Sequence, residues 1–206
     1  MGKHTTDPAL ILPPVERILR QIILKDLANH GRPNWDKPHT EAVVYWMKEL
    51  LPQVGLNNFN PQVMIAAAYA HDWGYASLFS QEQTLSLSQI MAKKQLHMKL
   101  GAEKIERLLY QRLSRYFSTA EILRVHDLVA VHDQLDRLQA EDELLLMECD
   151  TLGMLDSTRV QPTFSPADNE RFMKNSIHGK RLPLFIHQPA IDAAAALIQA
   201  RAGFFN

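Results

Sequence analysis

Six residues combine metal-binding side chains with positions that a helix would bury: His39, His71, Asp72, His97, His132 and Asp150. His39 shares a helical face with Ala42, Val43, Trp46 and Leu50, so it belongs to an apolar stripe and should point inward. His71 and Asp72 end a nearly unbroken apolar stretch that includes Val63, Met64, Ala67 and Ala68. An adjacent imidazole and carboxylate are costly there unless something satisfies them, and a metal would satisfy both. His132 follows Val125, Leu128 and Val129 at steps of seven, four and three, and Asp150 follows Leu146 and Met147 at four and three. His97 precedes Leu100, Gly101, Ile105 and Leu108 and reads as half-buried.

A neutral imidazole offers one nitrogen and an aspartate one or two oxygens. Two of each, from His39, His71, Asp72 and Asp150, make a mixed N/O set suited to a first-row divalent ion. The thiolates that structural zinc prefers are missing, since Cys149 is the only cysteine.

These positions need helices to hold them. Apolar residues recur at three- and four-residue steps through most of the chain, without the period-two alternation of strands, and the fold is expected to be all-α. Pro13-Pro14 opens a helix to about Asn29, which ends at Gly31-Arg32-Pro33-Asn34. Asp36 reads as the N-cap of a second helix, with Pro38 in its first turn and Pro52 just beyond its end at Leu51. Pro61 begins a third, with Gly74 as its C-cap. Leu87 to Tyr116 reads as one long helix or two meeting near Gly101. Ser118 or Thr119 caps the next, which reaches about His132, with Glu121 as the carboxylate of a capping box. Glu141 to Leu155 continues the pattern. A polar surface loop from Ser157 to Asn169, with Pro162 and Pro166, leads to a helix from about Pro166 to Asn175 and a last one from Pro189 to Ala202.

With 206 residues, no internal repeat and no linker, the chain is expected to form one domain, 1–206, against roughly one domain per 100 to 200 residues. Apolar residues make up 46% and charged residues 22%, which excludes a disordered chain. Lys plus Arg is 22 and Asp plus Glu 23, so a net charge of −1 offers no overall field for polymeric nucleic acid or an anionic membrane. Any phosphate binding must be local. A single cysteine excludes an internal disulfide framework and fits a reducing compartment. Cys149 has no base in sequence reach and reads as a small core residue. Apolar runs such as Val63 to Ala70 fall far short of the roughly 20 residues that span a bilayer. The start Met1-Gly2-Lys3-His4 lacks the hydrophobic stretch of a signal peptide, and a cytoplasmic location is expected.

The order His39, Ala-Tyr-Ala-His71-Asp72-Trp-Gly74 and Glu-Cys-Asp150-Thr-Leu-Gly resembles the HD-domain superfamily of metal-dependent phosphohydrolases. That superfamily has a first His, a His-Asp doublet and a distal Asp on an all-α scaffold. The resemblance spans about 35 to 155. His97 before Gly101-Ala102, and His132 in Leu-Val-Ala-Val-His132, look like the further histidines of many members, and Glu170-Arg171-Phe172 to Leu184 is loosely similar to the tails of small bacterial members. Two departures stand out. Trp73 replaces the usual small or β-branched aliphatic after the doublet, and the Gly-Tyr-Pro signature of the cyclic-dinucleotide branch does not follow His132.

The resemblance implies His39, His71, Asp72 and Asp150 as ligands of a divalent ion (Mn, Fe, Co, Ni or Mg). The ion would acidify a water for attack on a phosphate ester. His97 and His132 would then stabilise phosphate charge or protonate the leaving group, or would bind a second ion with Asp72 as the bridge. The implied substrate is a small phosphate ester or anhydride, with a nucleotide as first candidate. Two alternatives are a di-iron oxygenase using the same six residues and a ligand-sensing domain without catalysis. Trp73 and Tyr75 are candidates to stack on a base or to pack against a neighbouring helix. Lys93, Lys94, Lys180 and Arg181 are basic pairs that meet either phosphate or solvent. His126 reads as structural, and His4, His30, His178 and His187 as exposed.

Overall fold

The computed structural model describes residues 9–76, 78–79, 87–163 and 165–204. It is all-α, with no strand among the described residues. The chain runs through α1 (Pro13–Leu19), a π-helical turn and α2 (Lys25–His30) without a break. Then come α3 (Asp36–Val54), α4 (Pro61–Ala70), α5 (Leu87–Ala92), α6 (Lys94–Leu108), α7 (Thr119–Val131), α8 (Glu141–Leu155), α9 (Pro166–Phe172) and α10 (Gln188–Phe204).

Local chemistry sets most of the starts. Pro13 and Pro14 occupy the first turn of α1, where backbone N–H groups have no helical partner to lose. The Asn60 side chain accepts from the N–H groups of Gln62 and Val63 to begin α4. Ser118 and Glu121 close a reciprocal capping box at α7, and Ser165 caps α9 through the Asp168 N–H at 3.2 Å.

The hub is α4. Every residue from Val63 to Ala70 is buried, and the helix packs on α3, α7 and α8, with α6 against α7 and α10 against α8. Four alanines in this one helix let its neighbours approach closely. Because α4 is surrounded by apolar helices, its C-terminal end delivers His71 and Asp72 into the interior.

Several sequence expectations change. Trp35, not Asp36, occupies the cap of α3, and the buried Asp36 carboxylate instead accepts from the Arg32 N–H at 2.5 Å and from its Nε at 2.7 Å. Pro52 lies within α3, which continues one turn past Leu51 and ends at Gly55, where φ is +101°. The break in the Leu87 to Tyr116 region falls at Lys93 rather than Gly101, and the π-helical stretch Leu109–Leu113 extends α6. A π-helical segment carries α9 on to Arg181, beyond Asn175. Gly74 caps nothing: it sits in a 3-10 turn (Trp73–Tyr75), and a Cβ there would fall 1.8 Å from the His97 carbonyl oxygen. The turn and α6 touch backbone to backbone, which only glycine permits. No helix among the described residues is long and apolar enough to cross a membrane.

Candidate metal centre

All six candidate residues are buried and meet in one place. They form two groups that share Asp72: His39, His71 and Asp72, and Asp72, His97 and His132, each with ligand atoms close enough to hold a metal ion. In the first, His39 Nε2 lies 3.2 Å from His71 Nε2 and 3.7 Å from Asp72 Oδ2. Asp150 Oδ1 joins it at 3.0 Å from His39 Nε2 and 3.7 Å from His71 Nε2. In the second, His97 Nε2 and His132 Nε2 are 3.5 Å apart and lie 3.4 and 3.8 Å from Asp72 Oδ1. Each oxygen of Asp72 thus serves one group.

Helix geometry explains how the rings are aimed. His71 and His132 cap the C-termini of α4 and α7, where the last carbonyls have no helical partner. His71 Nδ1 is 2.8 Å from the Ala68 carbonyl and His132 Nδ1 is 2.8 Å from that of Val129. A carbonyl only accepts, so Nδ1 carries the proton in each and a neutral ring turns its Nε2 lone pair to the centre. His39 and His97 sit in the first turns of α3 and α6, where no such carbonyl is spare. Each instead lies flat on an aromatic ring: His39 on Trp35, with centroids 5.4 Å apart at 18°, and His97 on Tyr75, 4.0 Å apart at 8°. Their Nδ1 atoms are buried and find no hydrogen-bond partner among the described residues.

The electrostatics suit cations. Burial dominates His71 and pushes it down to about 4, keeping it neutral at ordinary pH. Burial is the largest effect on His132 and would lower it too, but the Asp72, Asp150 and Asp133 carboxylates together make the net shift upward. Burial opposes ionisation of Asp72, yet His71, His132 and His97 hold it well below the usual carboxylate range. Asp150 is lowered likewise, against burial, chiefly by Arg181. Imidazole nitrogens 3.2 and 3.5 Å apart, facing charged carboxylates, fit a divalent metal in each group.

Behind this centre stands a cationic frame. Arg181 is buried and donates through one terminal nitrogen to Asp150 Oδ2 at 2.9 Å and Thr151 Oγ1 at 3.0 Å, and through the other to Asp133 Oδ1 at 2.5 Å. Arg32 grips Asp36, reaches Asp72 Oδ2 at 3.4 Å and lies 4.2 Å above the Tyr75 ring. Lys94 pairs with Asp133 at 3.0 Å. A cavity of about 150 Å³ opens on the centre. His39, Asp72, His132 and Asp150 line it with Arg32, Lys94, Lys180 and Arg181, while His71 and His97 are not part of its wall. Trp35, Tyr75, Met154 and Phe172 supply apolar surface.

Other candidates separate from the site. Trp73 is buried and donates Nε1–H to Asp26 Oδ2 at 2.7 Å with Lys104 above its ring, so it joins α2 to the turn and does not line the cavity. His187, expected to be exposed, is buried with Nδ1 2.6 Å from the Glu148 carboxylate. His126 is half-buried beside Asp127 and Glu106, His30 and His178 lie at the surface, and Cys149 is a buried core residue. His4 lies outside the described residues. Sequence reasoning missed Arg32, Trp35 and Asp133. Only Trp35 carried a local signal, four residues before His39 and therefore on the same helical face.

Comparison of the chain with protein-family models, with curated proteins and with solved structures finds no match.

Proposed function

We propose that the chain is a metal-dependent phosphohydrolase of the HD-domain type, acting on a small phosphate ester or anhydride, with a nucleotide as first candidate. One observation carries the reading. Asp72 lends one oxygen to each of two His/Asp groups, and the cavity above them is walled by four cationic side chains. His39, His71, Asp72 and Asp150 would hold one ion, and His97 and His132 would share Asp72 with a second. Two divalent ions so held would supply Lewis acidity and an acidified water for attack on a phosphate ester.

The protein's own residues do the rest. Arg181 fixes Asp150 and Arg32 fixes Asp72, so both carboxylates keep their direction when an anion enters. Lys94 and Lys180 face the cavity and can neutralise phosphate oxygens as charge builds in the transition state. Trp35, Met154 and Phe172 offer the non-phosphate part of the substrate a dry surface.

The test is phosphate release from a panel of nucleotides and sugar phosphates, by protein loaded with manganese, cobalt, nickel, iron or magnesium. Release from at least one mononucleotide, abolished by chelator, is expected. Dioxygen uptake by iron-loaded protein without phosphate release would assign the oxygenase chemistry instead. Tight, salt-sensitive binding of random RNA or DNA with no release would reject the small-substrate reading.

A further inference from the structure

Resting on that reading, we infer that Tyr75 is the positioning residue of the second metal group: it sets the plane of His97 by stacking and is itself held by Arg32. Each group pairs a histidine held by a backbone carbonyl with one that lies on an aromatic ring: His71 with His39 on Trp35, and His132 with His97 on Tyr75. His132 has a backbone carbonyl at 2.8 Å to fix its ring, whereas His97 Nδ1 has no hydrogen-bond partner among the described residues. Without one, rotation about the Cβ–Cγ bond would swing Nε2 away from Asp72.

The Tyr75 ring takes that role. It lies parallel to the imidazole within 8°, at a centroid distance of 4.0 Å. The Arg32 guanidinium lies 4.2 Å from the same Tyr75 centroid, and the Phe79 ring stacks on Tyr75 at 5.9 Å and 21°. Arg32 is itself tied to Asp36 and reaches Asp72 Oδ2 at 3.4 Å, while His97 reaches Asp72 Oδ1 at 3.4 Å. The contacts close a ring: Asp72, Arg32, Tyr75, His97 and back to Asp72.

The backbone reinforces the stack. Gly74, the residue before Tyr75, lets the turn press on the His97 carbonyl, so one short segment sets both the main chain and the ring plane of this histidine. The first group does not use Tyr75: its ring-stacked histidine, His39, lies on Trp35, and it has a further carboxylate, Asp150, anchored by Arg181. The second ion should therefore be the weaker one and the one that Tyr75 controls.

Metal-free protein is titrated with manganese by calorimetry, with bound metal checked by equilibrium dialysis, for wild type, Tyr75→Phe and Tyr75→Leu. Two equivalents are expected for wild type and for Tyr75→Phe, which keeps the flat ring. Tyr75→Leu should bind the first equivalent as wild type does and the second at least about tenfold more weakly, the scale of losing a residue that orients a ligand. Tyr75→Met, which fills the space without a flat face, replaces Leu if that variant does not fold. Imidazole NMR of the metal-free protein gives a second readout: the His97 ring protons should be shifted upfield in wild type and Tyr75→Phe. Absence of that shift in wild type overturns the stack. Two wild-type-like equivalents in Tyr75→Leu, or equal weakening of both, overturns this role alone. A wild-type protein that binds no divalent ion overturns the metal-centre reading and this role with it.

Discussion

His71 and His132 occupy the same station in two different helices. Each is the C-cap residue of its helix, α4 or α7, and each is held by its own carbonyl three residues back at 2.8 Å. A helix C-terminus has spare carbonyls and an imidazole has a spare N–H, so each pair satisfies two polar groups that burial would otherwise leave costly. The remaining lone pair of each ring then faces Asp72, one toward each of its oxygens.

This arrangement separates the effects of mutations. Asp72→Ala removes the shared carboxylate and should abolish most metal uptake, whereas His97→Ala or His132→Ala should remove about half. Turnover should fall by about 10² or more in each case, as when a charge-stabilising or acid group is lost. Metal analysis of dialysed protein is the check. Equal metal content in wild type and Asp72→Ala would refute the shared site.

Arg181 makes a second, independent prediction. It is buried and donates to Asp150, Thr151 and Asp133, so Arg181→Met leaves the buried Asp150 carboxylate without its guanidinium and Asp133 with Lys94 alone. Breaking a buried pair by removing one partner costs about 3–5 kcal/mol, and a ligand that loses its support costs about 10- to 100-fold in metal affinity. Denaturant unfolding and metal titration should show both losses. A stability change below about 1 kcal/mol would mean that Asp133 and Asp150 are solvated without Arg181.

What was legible in the sequence was local. The Ser118–Glu121 capping box, the first-turn prolines of α1 and the span Glu141–Leu155 depend on residues a few positions apart, and the structure has each of them. The inward faces of His39, His97, His132 and Asp150 followed from the helical period in the same way. What depends on tertiary approach was not legible. Arg181 meets Asp150 across 31 residues and Asp133 across 48, and no spacing rule connects them. Gly74 looked like a helix stop because glycine so often is one, whereas its reason for being there is α6.

That reason gives the third prediction. A methyl group at position 74 would lie 1.8 Å from the His97 carbonyl oxygen and 2.8 Å from the Gly101 nitrogen, both backbone atoms that cannot turn aside. Gly74→Ala should therefore cost about 3 kcal/mol or more, the upper range for overpacking, and should disturb metal uptake at His97 before that at His39. Chemical denaturation and metal counting on the same sample test both parts. A variant as stable as wild type would show that the turn and α6 can part without loss.

The last prediction concerns pH and lies away from the His/Asp cluster. His187 Nδ1 is 2.6 Å from the buried Glu148 carboxylate, whose other oxygen accepts the backbone N–H groups of Ile186 and His187. The imidazole pKa is raised above its ordinary 6.5, first by the hydrogen bond to Glu148 and against the opposing effect of burial. The folded state thus binds this proton more tightly than the unfolded chain does. Its contribution is fully present below about pH 6.5 and is lost as pH rises through the higher folded-state value. His187 also precedes α10, so the pair ties the last helix to α8. Melting temperatures of wild type and His187→Gln, measured from pH 5.5 to pH 9, should differ most at the acid end and converge as pH rises. A difference that stays constant across this range, or that grows toward alkaline pH, would show that the His187–Glu148 contact is not charge-assisted.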